Sequence, residues 1–142
     1  MMTTYEFKSR LDAIHHNFSL DWRERQQQED ALITEYNRSL EVGDHASVRL
    51  WTDEDPCTVI RKTKTTITVR YDKAEKDPNW KPEWITGGFS AICTNDHDQQ
   101  WIITEDPEGH TETFYWSSKS NAYTHNGCRV TPGWHKHYDY NF

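Results

Sequence analysis

Residues 58–71 of the 142-residue chain read TVIRKTKTTITVRY and contain two short runs of β-branched side chains. Thr58-Val59-Ile60 and Thr66–Tyr71 favour extended strands, because branched side chains pack well on a pleated surface. The polar residues between them, Arg61–Thr65, join the two strands. The sequence therefore predicts an antiparallel hairpin at this point.

Further strands are predicted on both sides of this hairpin. The alternation of apolar and polar residues from Ala46 to Leu50 predicts a strand that ends in a turn at Asp53–Pro56. Residues 72–99 contain two prolines and Gly87-Gly88 and are interpreted as a long ordered loop.

Two more hairpins are predicted near the carboxyl end. The first joins residues 100–104 to residues 111–116, and the second turns at Asn126-Gly127, a strong hairpin signal. Five or six short strands with regular turns predict a strongly bent antiparallel sheet or small barrel. Glu41–Asp44, before the first strand, resembles the start of many Src-homology-type barrels.

The amino-terminal residues have a helical pattern instead. Thr3 and Glu6 have the spacing of a capping box, and an apolar stripe follows at Phe7, Leu11, Ile14 and Phe18. Ser19 is predicted to cap a second helix, with a weaker stripe at Trp22, Leu32, Tyr36 and Leu40. The polar centre of that helix suggests self-association, and a homodimer would cover it. We expect an α+β protein, with a helical segment at 1–42 and a β-rich domain at 43–142.

Composition and charge exclude several classes of function. Only 34% of the residues are hydrophobic, but seven Trp and seven Tyr predict a core packed with rings. The net charge of −7 argues against binding of duplex nucleic acid. The chain has no apolar run of membrane-spanning length and no signal-peptide pattern, so we expect a cytoplasmic protein that does not bind membranes. Three widely spaced cysteines predict reduced thiols.

Several motifs of the β-rich part resemble a family of small, largely uncharacterised proteins of bacteriophages and prophage-bearing bacteria. The distinctive ones are Gly87-Gly88-Phe89, Cys93-Thr94-Asn95, and the terminal His135 with Tyr138–Phe142. The resemblance covers residues 42–142 and brings no established activity. It implies a phage or mobile-element setting, in the cytoplasm of the host cell. Small proteins there often block host defences, by binding a protein or by sequestering a nucleotide signal.

Charge is strongly segregated along the chain. Residues 61–81 carry seven basic and three acidic side chains, and residues 82–115 carry seven acidic and no basic ones. Rings beside basic side chains suit a nucleotide or a single strand. The predicted ligand-binding residues are Arg61, Lys64, Arg70, Tyr71, Trp84 and Phe89. The alternative is that these rings fill the core and the charges line a solvated sheet edge.

The acidic segment predicts a surface that binds a basic partner protein. Ordered carboxylates imitate the spacing of phosphates, and the negative field speeds encounter with a basic surface. The predicted partner-binding residues are Asp96, Asp98, Glu105 and Glu108. Ordinary solubility charge is the alternative interpretation.

Metal binding and catalysis have little support. His135 and His137 lie two residues apart, with Cys128, His125 or Asp139 as further candidate ligands, but no zinc-site spacing accompanies them. Cys93 is interpreted as a buried thiol, and His135, Tyr138, Asp139 and Phe142 as a carboxyl-terminal clasp with Phe142 buried. We therefore predict no metal site, no cofactor and no catalytic residues.

The sequence predicts a protein that acts by binding. The favoured function is counter-defence inhibition of a host protein by a phage or mobile-element accessory protein. The alternatives are a protein that binds or sequesters a small nucleotide signal, and a small His-dependent phosphodiesterase that uses His135.

Overall fold

A computed structural model of the chain describes residues 2–87 and 90–140. Two helices, α1 (Thr4–His15) and α2 (Trp22–Arg38), precede the strands. The strands within the described residues are β1 (His45–Arg49), β2 (Glu54–Lys62), β3 (Thr66–Tyr71), β4 (Lys73–Lys76), β5 (Trp84–Gly87), β6 (Ser90–Cys93), β7 (Trp101–Thr104), β8 (Thr111–Ser117), β9 (Ala122–His125) and β10 (Cys128–Pro132). The predicted α+β class is confirmed.

Six of the strands close into a barrel in the order β1-β10-β9-β8-β3-β2. Each of these strands pairs antiparallel with the barrel strands before and after it in the chain, and β10 pairs with β1 to close the ring. A closed barrel leaves no free sheet edge. The small antiparallel barrel predicted from the turns and strand patterns is confirmed.

The barrel interior is filled mainly by aliphatic side chains. The buried cluster is Leu40, Ala46, Val48, Cys57, Val59, Ile67, Val69, Phe114, Tyr123 and Val130. Only two of these side chains are rings, so the prediction of a core packed with aromatic residues is wrong for the barrel. Branched residues from alternate strand positions already fill this narrow space. Several Trp side chains are exposed instead, Trp22, Trp51 and Trp84 among them.

The helices begin at side-chain caps. The hydroxyl of Thr3 accepts a hydrogen bond from the N–H of Glu6 at 3.0 Å, which confirms the predicted first cap. The second cap is Asp21, whose carboxylate accepts from the N–H of Glu24 at 2.8 Å. The prediction of Ser19 is wrong, because the Ser19 hydroxyl bonds to the Asn17 side chain instead.

Helix α2 packs against β9 and β10 on the outside of the barrel. Leu32, Tyr36 and Asn37 are its buried residues, whereas Trp22 is 67% exposed. The amide of Asn37 donates to the carbonyl oxygen of Asn121 at 2.8 Å. The predicted apolar stripe is therefore buried at Leu32 and Tyr36 but not at Trp22. Leu40 is also buried in the core, although it lies beyond the end of the helix.

The turn after β1 lies earlier than predicted. The N–H of Leu50 donates to the carbonyl of Asp53 at 2.9 Å, and β2 already begins at Glu54. Pro56 lies within β2, opposite Ser47 of β1. The pairing of β2 with β3 begins only at Cys57, so Pro56 lies where β2 lacks that neighbour, a position that tolerates proline.

Residues 72–110 form an insertion between β3 and β8. The predicted long loop is wrong in part, because it contains β4 and the β5–β6 hairpin. The predicted pairing of residues 100–104 with 111–116 is also wrong. Strand β7 pairs with β4, since β8 already has β3 and β9 as its two neighbours.

The carboxyl-terminal segment is hydrogen-bonded across the barrel, as predicted for a clasp. The N–H of His135 donates to the Ser47 hydroxyl at 2.8 Å, and His137 forms an isolated β-bridge with Glu54. The N–H of Asp139 donates to the carboxylate of Asp53 at 2.7 Å. Phe142, predicted to be buried in this clasp, lies outside the described residues.

Candidate binding surfaces

The structure does not gather the predicted ligand-binding residues into one site. Lys64 lies in the turn between β2 and β3, whereas Arg70 lies four residues beyond Thr66 on β3. Four strand residues span about 13 Å. Arg61 is exposed on β2, near the Lys64 end. Phe89 lies outside the described residues.

The two neighbouring residues Arg70 and Tyr71 have different surroundings. Tyr71 packs against the barrel core, and its hydroxyl donates to Glu112 at 2.8 Å. Arg70 faces Asp72 at 3.7 Å and Glu105 at 3.8 Å. Trp84 lies on β5, where its ring meets Tyr140 edge to face. Tyr71 is therefore engaged with the barrel, whereas the buried Nε of Arg70 has no hydrogen-bond partner among the described residues.

Two ionisable side chains, the thiol of Cys57 and the phenol of Tyr71, have raised pKa values. Burial raises the pKa of the Cys57 thiol, and Asp72 and Asp55 raise it further. Burial also raises the pKa of Tyr71, followed by its hydrogen bond to Glu112. A raised pKa keeps the thiol protonated, whereas a nucleophilic cysteine needs the thiolate. Cys57 is therefore suited to packing and not to covalent catalysis.

The four predicted partner-binding carboxylates fall into two groups. Asp96 is held internally, because it accepts from the N–H of Tyr140 at 3.2 Å and faces His137 at 3.6 Å. Glu105 faces both His45 and Arg70. Asp98 and Glu108 are exposed, and the Asp98 side chain is paired only with its neighbour His97 among the described residues. Glu105 is also exposed, with 52% of its side chain accessible, so Asp96 is the one member of the set that is largely covered.

The β5–β6 hairpin exposes a pair of large apolar side chains. Ile85 and Ile92 are direct cross-strand partners, and they are 57% and 49% exposed. Trp84, next to Ile85, is 49% exposed. Adjacent strand residues point to opposite faces, so both faces of this hairpin present apolar surface. We refer to these two paired strands, residues 84–87 and 90–93, as the arm.

The base of the arm is closed by hydrogen bonds between the residues before it and those after it. The side-chain oxygen of Asn95 accepts from the N–H of Glu83 at 2.8 Å, and its amide donates to the carbonyl of Lys81 at 2.8 Å. The N–H of Thr94 donates to the carbonyl of Glu83 at 2.8 Å. Cys93 is buried, as predicted. These hydrogen bonds therefore hold the two ends of the arm together.

Three histidines line a cleft beside the carboxyl-terminal clasp. His97, His135 and His137 border a space of about 510 Å³ together with Trp51 and Trp101. In residues 2–87 and 90–140 no group of three His, Cys, Asp or Glu side chains has the geometry of a metal site. The phosphodiesterase alternative stays a prediction, because His135 has a cleft but no defined substrate.

The sequence contains a signal for the arm as well as one for a loop. Gly87-Gly88 lies between Trp84-Ile85-Thr86 and Ala91-Ile92-Cys93, and a glycine pair between two apolar runs is typical of a hairpin. The prolines at 78 and 82 favoured a loop instead.

Comparison of the chain with protein-family models, with curated proteins and with solved structures found no match. Neither described helix combines the length and apolar character that a membrane span requires.

Proposed function

We propose that this protein acts by binding a host protein, as a counter-defence inhibitor encoded by a phage or mobile element. The observation that carries the proposal is the arm, which exposes Ile85 and Ile92 side by side. Contiguous exposed apolar side chains beside polar ones are characteristic of protein interaction sites. The setting is the one that the resemblance of the sequence motifs to bacteriophage proteins implies, and it stays a prediction.

The charge near the arm favours a basic partner. The segment from Pro82 to Tyr115 contains no lysine or arginine, and Glu83 and Asp98 are exposed on either side of the arm. We refer to these two carboxylates, which precede and follow the arm in the chain, as the acidic rim. Exposed polar groups beside an apolar centre are the usual anatomy of a protein interface. Such a rim speeds association with a basic surface and suppresses binding to acidic ones.

The proposal is tested by affinity purification of the tagged protein from host cells, with quantitative comparison of captured proteins. Ile92→Ser is expected to reduce the captured partner at least tenfold, because an apolar contact is replaced by a hydroxyl. Ile102→Ser is the matched control, since Ile102 is also 49% exposed but lies on β7 outside the arm. Equal capture by both variants and the wild type would contradict the proposal.

The role of the acidic rim is tested separately by charge reversal. Asp98→Lys with Glu83→Lys is expected to slow association and to remove its dependence on salt. Lys119→Glu, an opposite reversal at an exposed position in the β8–β9 turn, is the comparison variant. Association rates of the purified pair, measured at low and high salt, distinguish steering from direct contact.

A further inference from the structure

Three residues form a charged row across the outer face of the barrel. Arg49 of β1 is the cross-strand partner of Arg129 on β10 and of Glu54 on β2. Arg49 bonds to Glu54 at 2.9 Å. Arg129 is exposed and has no ion pair among the described residues. Two positive charges directly opposite each other destabilise a sheet. An anion bound between Arg49 and Arg129 would reduce this repulsion.

This row lies where two clefts meet. One cleft, of about 510 Å³, extends towards Trp51, and the other, of about 480 Å³, extends towards α1. Both are lined by Arg49, Glu54 and His135. The second cleft also contains Lys8 and Arg129. In the second cleft three cations therefore face one carboxylate, on a protein whose overall charge is −7. The first cleft adds one cation and one carboxylate, Lys136 and Asp53.

We propose that this groove binds a nucleotide, with its phosphate between Arg49 and Arg129 and its base on the ring of Trp51. The groove has an excess of two positive charges, and a phosphate monoester carries about −1.5 to −2 at neutral pH. Arginine donates paired hydrogen bonds in a fork that matches phosphate oxygens. A ligand with a single carboxylate would neutralise only one of the two excess positive charges of the groove.

The base has a candidate stacking surface in the cleft that Arg49 lines. Trp51 is 92% exposed and follows Arg49 by two residues. Trp51 lies in the turn after β1, and two residues of chain span at most about 7 Å, so its ring lies within reach of a nucleotide whose phosphate is at Arg49. An exposed ring beside cationic side chains is the arrangement that proteins use for stacking bases. This inference goes beyond the partner-protein proposal, and neither depends on the other.

The test is isothermal titration calorimetry at low ionic strength with ATP, AMP, adenosine and pyrophosphate as probes. The wild type is expected to bind ATP and AMP, and to bind adenosine more weakly. Arg129→Gln is expected to weaken ATP binding about tenfold or more. Trp51→Ala is expected to weaken ATP and AMP about fivefold or more and to leave pyrophosphate unchanged.

Arg61→Gln is the matched control, because it removes the same charge from an exposed arginine on β2. Arg61 lies seven residues beyond Glu54 on that strand, roughly 20 Å along it. Lys8→Gln on α1 is a second groove variant that leaves the barrel strands unchanged. Equal weakening by Arg61→Gln and Arg129→Gln would reduce the effect to net charge and overturn the site. Absence of binding by every probe at millimolar concentration would also overturn it.

Discussion

The indole N–H of Trp134 is shared between the carboxylate of Asp72 at 3.1 Å and the carbonyl of Cys57 at 2.9 Å. The Asp72 side chain is completely buried, and it also accepts from the Thr58 hydroxyl at 2.6 Å and from the N–H of Asp106 at 3.1 Å. Arg70 supplies the nearby positive charge. One carboxylate thus connects the barrel, the start and end of the insertion, and the carboxyl-terminal segment.

Asp72→Asn is expected to lower the free energy of unfolding by about 2–4 kcal/mol. The variant keeps the shape of the side chain, but its NH₂ group faces hydrogen-bond donors and the charge beside Arg70 is lost. Urea denaturation measures the change. Asp98→Asn, at a side chain that is 66% exposed, should change the free energy by less than about 0.5 kcal/mol. Similar losses in the two variants would refute the role of Asp72 as a connecting group.

Stability should fall at alkaline pH because of Tyr71. Burial raises its pKa above the ordinary value of 10.0, so folding favours the protonated phenol. The stabilisation is present below about pH 10 and is lost as the pH rises towards the folded-state pKa, by at most about 1.4 kcal/mol per pH unit. The raised pKa of Cys57 acts in the same direction above its ordinary 9.0.

The variant Tyr71→Phe should therefore lose less stability than the wild type as the pH rises above about 8. Urea midpoints at about pH 8 and about pH 10.5 measure it. The variant starts less stable, because the hydrogen bond from Tyr71 to Glu112 is absent. An unchanged difference between the two pH values would mean that Tyr71 does not contribute to the pH dependence.

Gly109→Ala should be strongly destabilising. A Cβ at Gly109 would collide with the carbonyl oxygen of Tyr71, which is backbone and has little freedom to move. We expect a loss of about 3 kcal/mol by thermal or urea unfolding. Gly127→Ala is the comparison, because its Cβ meets no atom and only the positive φ of 80° is unfavourable, which costs about 1 kcal/mol. A smaller loss at Gly109 than at Gly127 would contradict this packing.

Asn37→Ala should loosen the helical segment and leave the barrel intact. The variant leaves the carbonyl of Asn121 without its buried partner, at a cost of about 1–2 kcal/mol. Hydrogen exchange is expected to show faster exchange in α2 and unchanged protection in β3. Faster exchange throughout the chain would mean that the helices and the barrel unfold as one unit.

The local hairpins of this fold were predictable from the sequence. The β2–β3 pair follows from its β-branched runs, and the turn between β9 and β10 follows from Asn126-Gly127, which adopt φ values of 50° and 80°. The pairing of β4 with β7 was not predictable, because it joins segments separated by the whole arm. Strand patterns specify that a segment is extended but not which edge is free to accept it.

The candidate sites were less predictable than the fold. The basic segment at residues 61–81 predicts that Arg70 binds a ligand. In the structure, the carboxylates of Asp72 and Glu105 lie beside its guanidinium group. Arg49 and Arg129 are 80 positions apart in the sequence and become neighbours only through the register of β1 and β10. Charge along a chain therefore predicts poorly which cations are free in a barrel.

The most direct measurement of partner binding is site-specific photo-crosslinking in host cells, with the photoreactive residue at position 92 and, in a separate protein, at position 102. Both positions are equally exposed, so non-specific encounters affect them alike. We predict one discrete crosslinked host protein from position 92 and none from position 102. Absence of an adduct at position 92, or equal adducts at both positions, would contradict binding through the arm.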